Sequence, residues 1–251
     1  MKLIAPKNFF TSVFAAALNK NEFELFFVEA SLIGKELEYN TSAIGLIPSL
    51  DLINHRNLFV SSKYAVSFDG MLSNSFFYFH ENERSFEKIT LRGDVSLNDI
   101  ILTKILFSER FSSQAEITLD TGNAPTKGKD YLVVGDENYS VWDFKNGISF
   151  SDQVAEMLDF PYVNYVFASP DKEALTNFNN LIGNVDQTIE EKIDDIIKHI
   201  SLNEEAKLFF KENIDSVYYE MTSNETEGLN ELIKLLFYHG IIEDMFDIKF
   251  V

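Results

Sequence analysis

The chain has 251 residues, 45% of them hydrophobic and 14% aromatic, which is enough to bury a large core as one big domain or two lobes and excludes a disordered reading. Forty acidic against twenty-one basic residues give a formal net charge of -19, a field that repels phosphate backbones and anionic lipid, so neither nucleic acid nor a membrane is expected as a partner. The absence of cysteine excludes disulfides, a thiol nucleophile and thiolate metal sites.

In chain order, Leu3-Ile4-Ala5 reads as a first strand leading to a helix over 11–18. Met1-Lys2 with Phe14-Ala15-Ala16-Ala17 has the outline of a signal peptide, but Lys7 and Asn8 interrupt the apolar region. No run approaches the roughly 20 apolar residues of a membrane span, and the chain is read as cytoplasmic. A strand at Phe23–Val28, a helix near Ser31–Leu37 and a strand at Ala43–Ile47 continue a βαβ rhythm, and Pro48-Ser49 opens a short helix at Leu50–Ile53. Leu58 to Phe79 is β-rich, broken at Asp69-Gly70. A second βαβ unit follows: strand Ile89–Leu91, a helix over 97–111 with Ser96 and Asp99 spaced as a capping box, and strand Glu116–Leu119.

The stretch Thr121–Lys129 is a loop before the strand Tyr131–Val134; a helix at Ser151–Leu158 stops at Asp159-Phe160-Pro161, ahead of the strand Tyr162–Ala168. Beyond it the tail reads as entirely helical, with segments near Lys172–Leu181, Ile189–Ile200, Glu204–Asn213 and Glu225–His239, the last stopped by Gly240. The 24 phenylalanines are expected mainly as core filler. His55, His80, His199 and His239 make no pair at helical metal-site spacing, so neither a metal nor another cofactor is expected.

Three of the strands end in turns of small polar residues: Ile44–Ser49, Ser67-Phe68-Asp69-Gly70 and Tyr131–Asp136. Ligands of open α/β sheets sit beyond strand ends at such turns, which points to a cleft. Ser49 and Asp136 are candidates there, although Asp69 and Asp136 also suit Asx turns. Thr11 and Ser96 serve equally as helix caps. Asn74 is a polar amide beside Phe76, Phe77, Tyr78 and Phe79, and needs a partner if buried. Arg92 lies near the start of the 97–111 helix, either as a clamp for an acidic ligand or as a solvated surface arginine.

These elements carry a family resemblance. The aliphatic strand ending in Pro48, the Asp69-Gly70 turn, the Gly135-Asp136 turn, the Phe160-Pro161 step and the late Asn213-Ile214-Asp215 with Glu227-Gly228-Leu229 together resemble the menaquinone-biosynthesis family, most closely its chorismate dehydratase branch in the futalosine pathway. The resemblance spans almost the whole chain. It implies an α/β protein with a two-lobe, type II periplasmic-binding-protein-like fold and a helical C-terminal tail. Lobe one would hold 1–75 and 165–251, lobe two 76–164, with Asn74–Tyr78 and Val163–Phe167 as crossover strands. It also implies a carbon–oxygen lyase that eliminates water from chorismate to leave an enolpyruvyl benzoate.

The family's Ser-Tyr-Leu-Asn-Thr run corresponds here to Lys7-Asn8-Phe9-Phe10-Thr11, so Thr11 is kept while Phe10 replaces the Asn. After the Asp-Gly turn Asn74 falls on a Ser position, with Ser73 and Ser75 one step away. The polar start of the lobe-two helix becomes Gly93–Asn98, where Ser96 and Asn98 face a ligand and Asp94 and Asp99 disfavour an anion. The ligand-site candidates are therefore Phe10, Thr11, Ser49, Asn74, Ser75, Arg92, Ser96, Asn98 and Asp136. Two functions stay open: the lyase acting on an anionic carboxylate, or a non-catalytic solute-binding protein on the same fold, favoured if Phe10 and neighbouring aromatics plug the cleft. A secreted solute receptor would require a signal sequence.

Overall fold

The computed structural model describes residues 1–18, 22–80, 87–200 and 202–251. The chain opens as β1 (Lys2–Ala5), α1 (Phe9–Ala17), β2 (Glu24–Phe27), α2 (Ile33–Tyr39), β3 (Ile44–Pro48) and β4 (Phe59–Phe68). It continues through β5 (Ser75–Tyr78), β6 (Lys88–Gly93), α3 (Leu97–Phe111), β7 (Glu116–Asp120), β8 (Tyr131–Val134), α4 (Glu137–Ser140), β9 (Ile148–Ser149) and α5 (Phe150–Leu158). The remainder is β10 (Tyr162–Ser169), α6 (Lys172–Leu181), α7 (Val185–Lys198), α8 (Glu204–Asn213), β11 (Val217–Glu220), α9 (Ser223–Tyr238) and β12 (Lys249–Phe250).

Two sheets result. The first has the order β11-β4-β10-β3-β1-β2, with β12 also on β4; the second has the order β7-β6-β8-β5-β9. In the first, β1 runs parallel to both β2 and β3, while β10 returns antiparallel to β3 and β4. In the second, β6 runs parallel to β7 and β8. The parallel strands put their C-terminal ends side by side on one edge of each sheet. The chain passes between the sheets at 69–74 and 159–161, next to the Phe68–Tyr162 pair of β4 and β10. The expected crossover strands belong wholly to opposite sheets: β5 pairs within the second, and β10 pairs within the first from Tyr162 onward.

Local chemistry explains where the elements start. The α1 helix begins at Phe9, two residues before the expected start, because Asn8 caps it: its Oδ1 accepts from the Thr11 N–H at 2.8 Å, so Thr11 is not the cap. The Ser96/Asp99 capping box is present at α3. Strand β4 is one ten-residue strand with an irregularity, since Ser61 Oγ accepts from the N–H groups of Lys63 and Tyr64 and bends the backbone there. The tail is not entirely helical: β11 and β12 both pair with β4. The four residues of β11 alternate buried Val217 and Tyr219 with half-buried neighbours, a pattern too short to stand out between two helices.

Aromatic rings fill both halves. Phe10 packs edge-on to Phe68 at 4.8 Å and against Phe9 and Phe210, while Phe77, Phe107 and Phe150 cluster under the second sheet. Helix α9 crosses the 159–161 connection so closely that a Cβ at Gly228 would lie 2.5 Å from the Pro161 carbonyl oxygen, which explains the glycine.

Candidate functional site

The strand ends of the two sheets face each other, and they differ in chemistry. The loops after β1, β2 and β3 present the backbone N–H groups of Phe9, Ala30 and Leu50. Adjacent strands lie about 4.8 Å apart, so these loops form a row roughly 10 Å long. Each N–H meets a side chain from the second half: Phe9 donates to Asp136 Oδ1 at 2.8 Å, Ala30 to Asp94 Oδ1 at 2.9 Å, and Leu50 to Asn98 Oδ1 at 2.9 Å. Asp94 follows β6 and Asp136 follows β8, its parallel neighbour; Asn98 lies in the first turn of α3. The turn after β6 requires Gly93, whose φ is +103° and whose Cβ would lie 1.9 Å from the Val134 carbonyl oxygen.

Asn98 is the centre of the junction. Fully buried, its Nδ2 donates to the Asn164 carbonyl at 2.7 Å and lies within 3.2 Å of Ser49 Oγ, Tyr162 OH and Asn164 Oδ1. Tyr162 OH also donates to Asn164 Oδ1. Burial drives the Tyr162 phenol well above its ordinary range, so it remains a donor. One residue beyond Leu50, Asp51 is nearly buried and desolvation lifts its carboxyl to about 7. Burial also raises Asp94 and Asp136; the N–H bonds from Ala30 and Phe9 pull each back.

Beneath the junction, Ser75 Oγ donates to Asp99 Oδ1 at 2.9 Å and Ser96 Oγ to Asp99 Oδ2 at 2.7 Å. Burial raises the Asp99 carboxyl, and these hydroxyl and amide donors oppose it. Asn74 Nδ2 donates to Tyr165 OH at 3.2 Å, and its carbonyl accepts from the Gly135 N–H. Ser49, Asn74, Asn98 and Asp136 are therefore brought to one junction, while Ser75 and Ser96 hold the buried carboxylate behind it. Phe10 is turned into the aromatic core, 1% exposed. Thr11 Oγ1, in the first turn of α1, is buried with no hydrogen-bond partner among the described residues.

Arg92 is neither a free clamp nor a solvated surface residue. It is 9% exposed, its Nε donates to both Glu137 oxygens at 2.8 and 3.0 Å, and its Nη1 donates to the Gly122 carbonyl and lies 3.7 Å from Asp120 Oδ1. The Glu137 hydrogen bond raises its pKa further, so its charge is spent within the second half.

Beside the Ala30–Asp94 contact opens a crevice of about 420 Å³, lined by Glu29, Ser31, Asp94, Asp120 and Thr121 with Leu91, Gly93, Val95 and Leu119. Among the described residues, no lysine or arginine lines it. Sequence reasoning missed Ala30 and the crevice, since a backbone N–H leaves no side-chain signature; Asp94 and Asp120, each directly after a strand or at its end, carried the available signal.

No protein-family model matches this sequence, and no curated protein matches it. Solved structures do share its fold. They include protein AF1704 from Archaeoglobus fulgidus, 14% identical, covering 96% of this chain and 98% of that one with a TM-score of 0.68. A Candida albicans gene product described as having the generic periplasmic binding protein fold is 12% identical, covering 99% and 92% with a TM-score of 0.60. The periplasmic aliphatic sulphonate binding protein SsuA from Escherichia coli is 12% identical, covering 99% and 95% with a TM-score of 0.53. The chain has the periplasmic-binding-protein fold. No helix among the described residues is long and apolar enough to cross a membrane.

Proposed function

We propose that this chain is a non-catalytic small-molecule-binding protein whose ligand enters between the strand ends of the two sheets. The carrying observation is the set of three contacts from the backbone N–H groups of Phe9, Ala30 and Leu50 to Asp136, Asp94 and Asn98. A row of unsatisfied loop and helix N–H groups is a ready ligand-binding edge, and here side chains of the opposite half occupy it. The lobes of this reading are 1–75 with 165–251, and 76–164; they would separate about the paired connections at 69–74 and 159–161, exposing both rows. A binding-protein fold whose neighbours include a sulphonate-binding protein supports the same reading.

The chorismate dehydratase reading draws on the sequence resemblance. Against it, the residue at the family's Asn position is a core phenylalanine, and Arg92, the arginine near the junction among the described residues, is held by Glu137. We expect no turnover.

A thermal-shift screen of a metabolite library tests binding: at least one compound should raise the midpoint, and Asn98→Ser should abolish that rise while still unfolding cooperatively. No stabilising compound, or stabilisation indifferent to Asn98, contradicts it. Incubation with chorismate, followed by loss of diene absorbance and product identification, tests catalysis. Formation of the enolpyruvyl benzoate would restore the lyase reading.

A further inference from the structure

The end of the second sheet far from the junction carries a cavity of another kind. Register places Tyr78 of β5 against Tyr131 of β8, at the end opposite Ser75 and Val134. The chain's one tryptophan, Trp142, lies against this pair, its ring centroid 4.6 Å from that of Tyr78 and 5.2 Å from that of Tyr131. These rings, with Phe79 and the 125–129 loop, line about 390 Å³. Their polar atoms bond within the protein: Tyr78 OH donates to Asn138 Oδ1 at 3.0 Å, Tyr131 OH to Asp120 Oδ2 at 2.7 Å, and Trp142 Nε1 to Glu137 Oε1 at 3.2 Å. The rings are fixed in orientation by these bonds, and what they offer a ligand is π surface.

The charge around this cavity is the reverse of the chain's. Acidic residues outnumber basic ones 40 to 21, yet the lining among the described residues holds Lys127, Lys129 and His80 and no carboxylate. Both lysines are exposed and make no ion pair among the described residues; Lys129 acts on Asp120 through space. The carboxylates of this region are bonded elsewhere, Asp130 to the His80 N–H at 2.7 Å and Asp143 to Asn146 Nδ2 at 2.7 Å, and neither lines the cavity. The loop that bears the lysines is tied to the rings. The Thr126 N–H donates to Tyr131 OH at 2.8 Å, and Gly128, at φ +77°, turns the chain between Lys127 and Lys129.

We propose that this cavity is a second binding site, for a planar aromatic anion: a flat ring that stacks beside Trp142 and Tyr78 and carries a carboxylate or phosphate to Lys127 and Lys129. An aliphatic anion leaves the ring faces unstacked, and a neutral ring leaves the ammonium groups unused. A quaternary ammonium, the usual guest of an aromatic cage, meets two like charges at the mouth. The volume suits one or two fused rings with one charged substituent. The site shares no residue with the junction, so it stands or falls apart from the proposed cleft ligand.

Trp142 reports on its own site, because the chain has no other tryptophan. Naphthoate, indole acetate and adenosine monophosphate are titrated by calorimetry and by tryptophan fluorescence corrected for probe absorption. Naphthalene methanol and adenosine supply the ring without the charge, cyclohexane carboxylate and inorganic phosphate the charge without the ring, and naphthylmethylamine the opposite charge. At least one aromatic anion should bind about tenfold or more tightly than its controls and change the Trp142 emission. The two carboxylates ahead of the monophosphate identify a carboxylate ligand, and the reverse order a phosphate. Lys127→Gln combined with Lys129→Gln should weaken binding by about three- to tenfold, with the fold intact by circular dichroism. Equal binding of the uncharged rings, tighter binding of the amine, affinity unchanged by the lysine pair, or no binding by any probe overturns the proposal. Loss of binding with Asn98→Ser but not with the lysine pair places the probe at the junction and overturns it too, while leaving the cleft reading standing.

Discussion

The two faces of the cleft are built on different principles. The first-sheet face is backbone, three N–H groups fixed by strand ends and helix starts; the second-sheet face is side chain, two carboxylates and an amide. A backbone face survives most substitutions because the fold itself makes it, whereas a side-chain face can be rewritten one residue at a time. In the proposed binding reading, the first face would supply affinity and the second selectivity.

The largest break in that comparison comes from Phe10→Asn, the change that would bring in the family's residue. The ring packs on Phe9, Phe68 and Phe210 at 1% exposure, so the substitution removes a core side chain and buries an amide. We expect a loss of about 4 kcal/mol or more in urea denaturation and no gain of activity. Wild-type stability with new chorismate turnover would show that position 10 faces the cleft.

Asp51, the carboxyl next to Leu50 on the backbone face, tests it through pH. Its pKa is raised by burial from 3.8 to about 7, so the folded state holds a proton that the unfolded chain has released. Its contribution is fully present below pH 4 and is lost as pH rises through about 7. Asp51→Asn should therefore gain on the wild type as pH rises from 4 to 8, by up to about 4 kcal/mol over the whole window. Parallel denaturation curves for the two proteins across that range would place Asp51 in solvent.

Asn98→Ala strips the acceptor from the Leu50 N–H and the donor from Asn164 in a fully buried junction, and should cost about 2–3 kcal/mol. Asp94→Asn and Asp136→Asn keep a neutral acceptor for each N–H and should cost under about 1 kcal/mol. If the carboxylate variants lose more than Asn98→Ala, the ranking of the contacts is reversed.

Much of the architecture is legible in the residues. The alternation of apolar strands with amphipathic helices marks both βαβ units, and Ser96 with Asp99 marks the start of α3, because these signals are local. Strands β11 and β12 escape it, since their partner among the described residues, β4, lies more than a hundred residues away in sequence and neither carries a long pattern. At the site, Ser49, Asn74, Asn98 and Asp136 stand out as polar residues at strand ends and helix starts. The fate of Arg92 depends on Glu137, 45 residues on, and cannot be seen locally. The Phe9, Ala30 and Leu50 donors have no residue type to betray them, and Phe10 looks like a cleft residue until Phe210 arrives to cover it.

The central claim is that the two faces part about the paired connections once the Asp94 and Asp136 contacts are lost, against the packing of Phe210 on Tyr139 and of Phe209 on Phe144. Because the chain has no cysteine, two spin labels can be placed cleanly through Tyr39→Cys on the first half and Val141→Cys on the second, at side chains 74% and 65% exposed. Pulsed electron–electron resonance would compare that labelled protein with the same protein carrying Asp94→Ala and Asp136→Ala. A longer-distance population that appears when the two carboxylates are removed is the predicted result; an identical, single distance distribution in both would contradict an opening cleft.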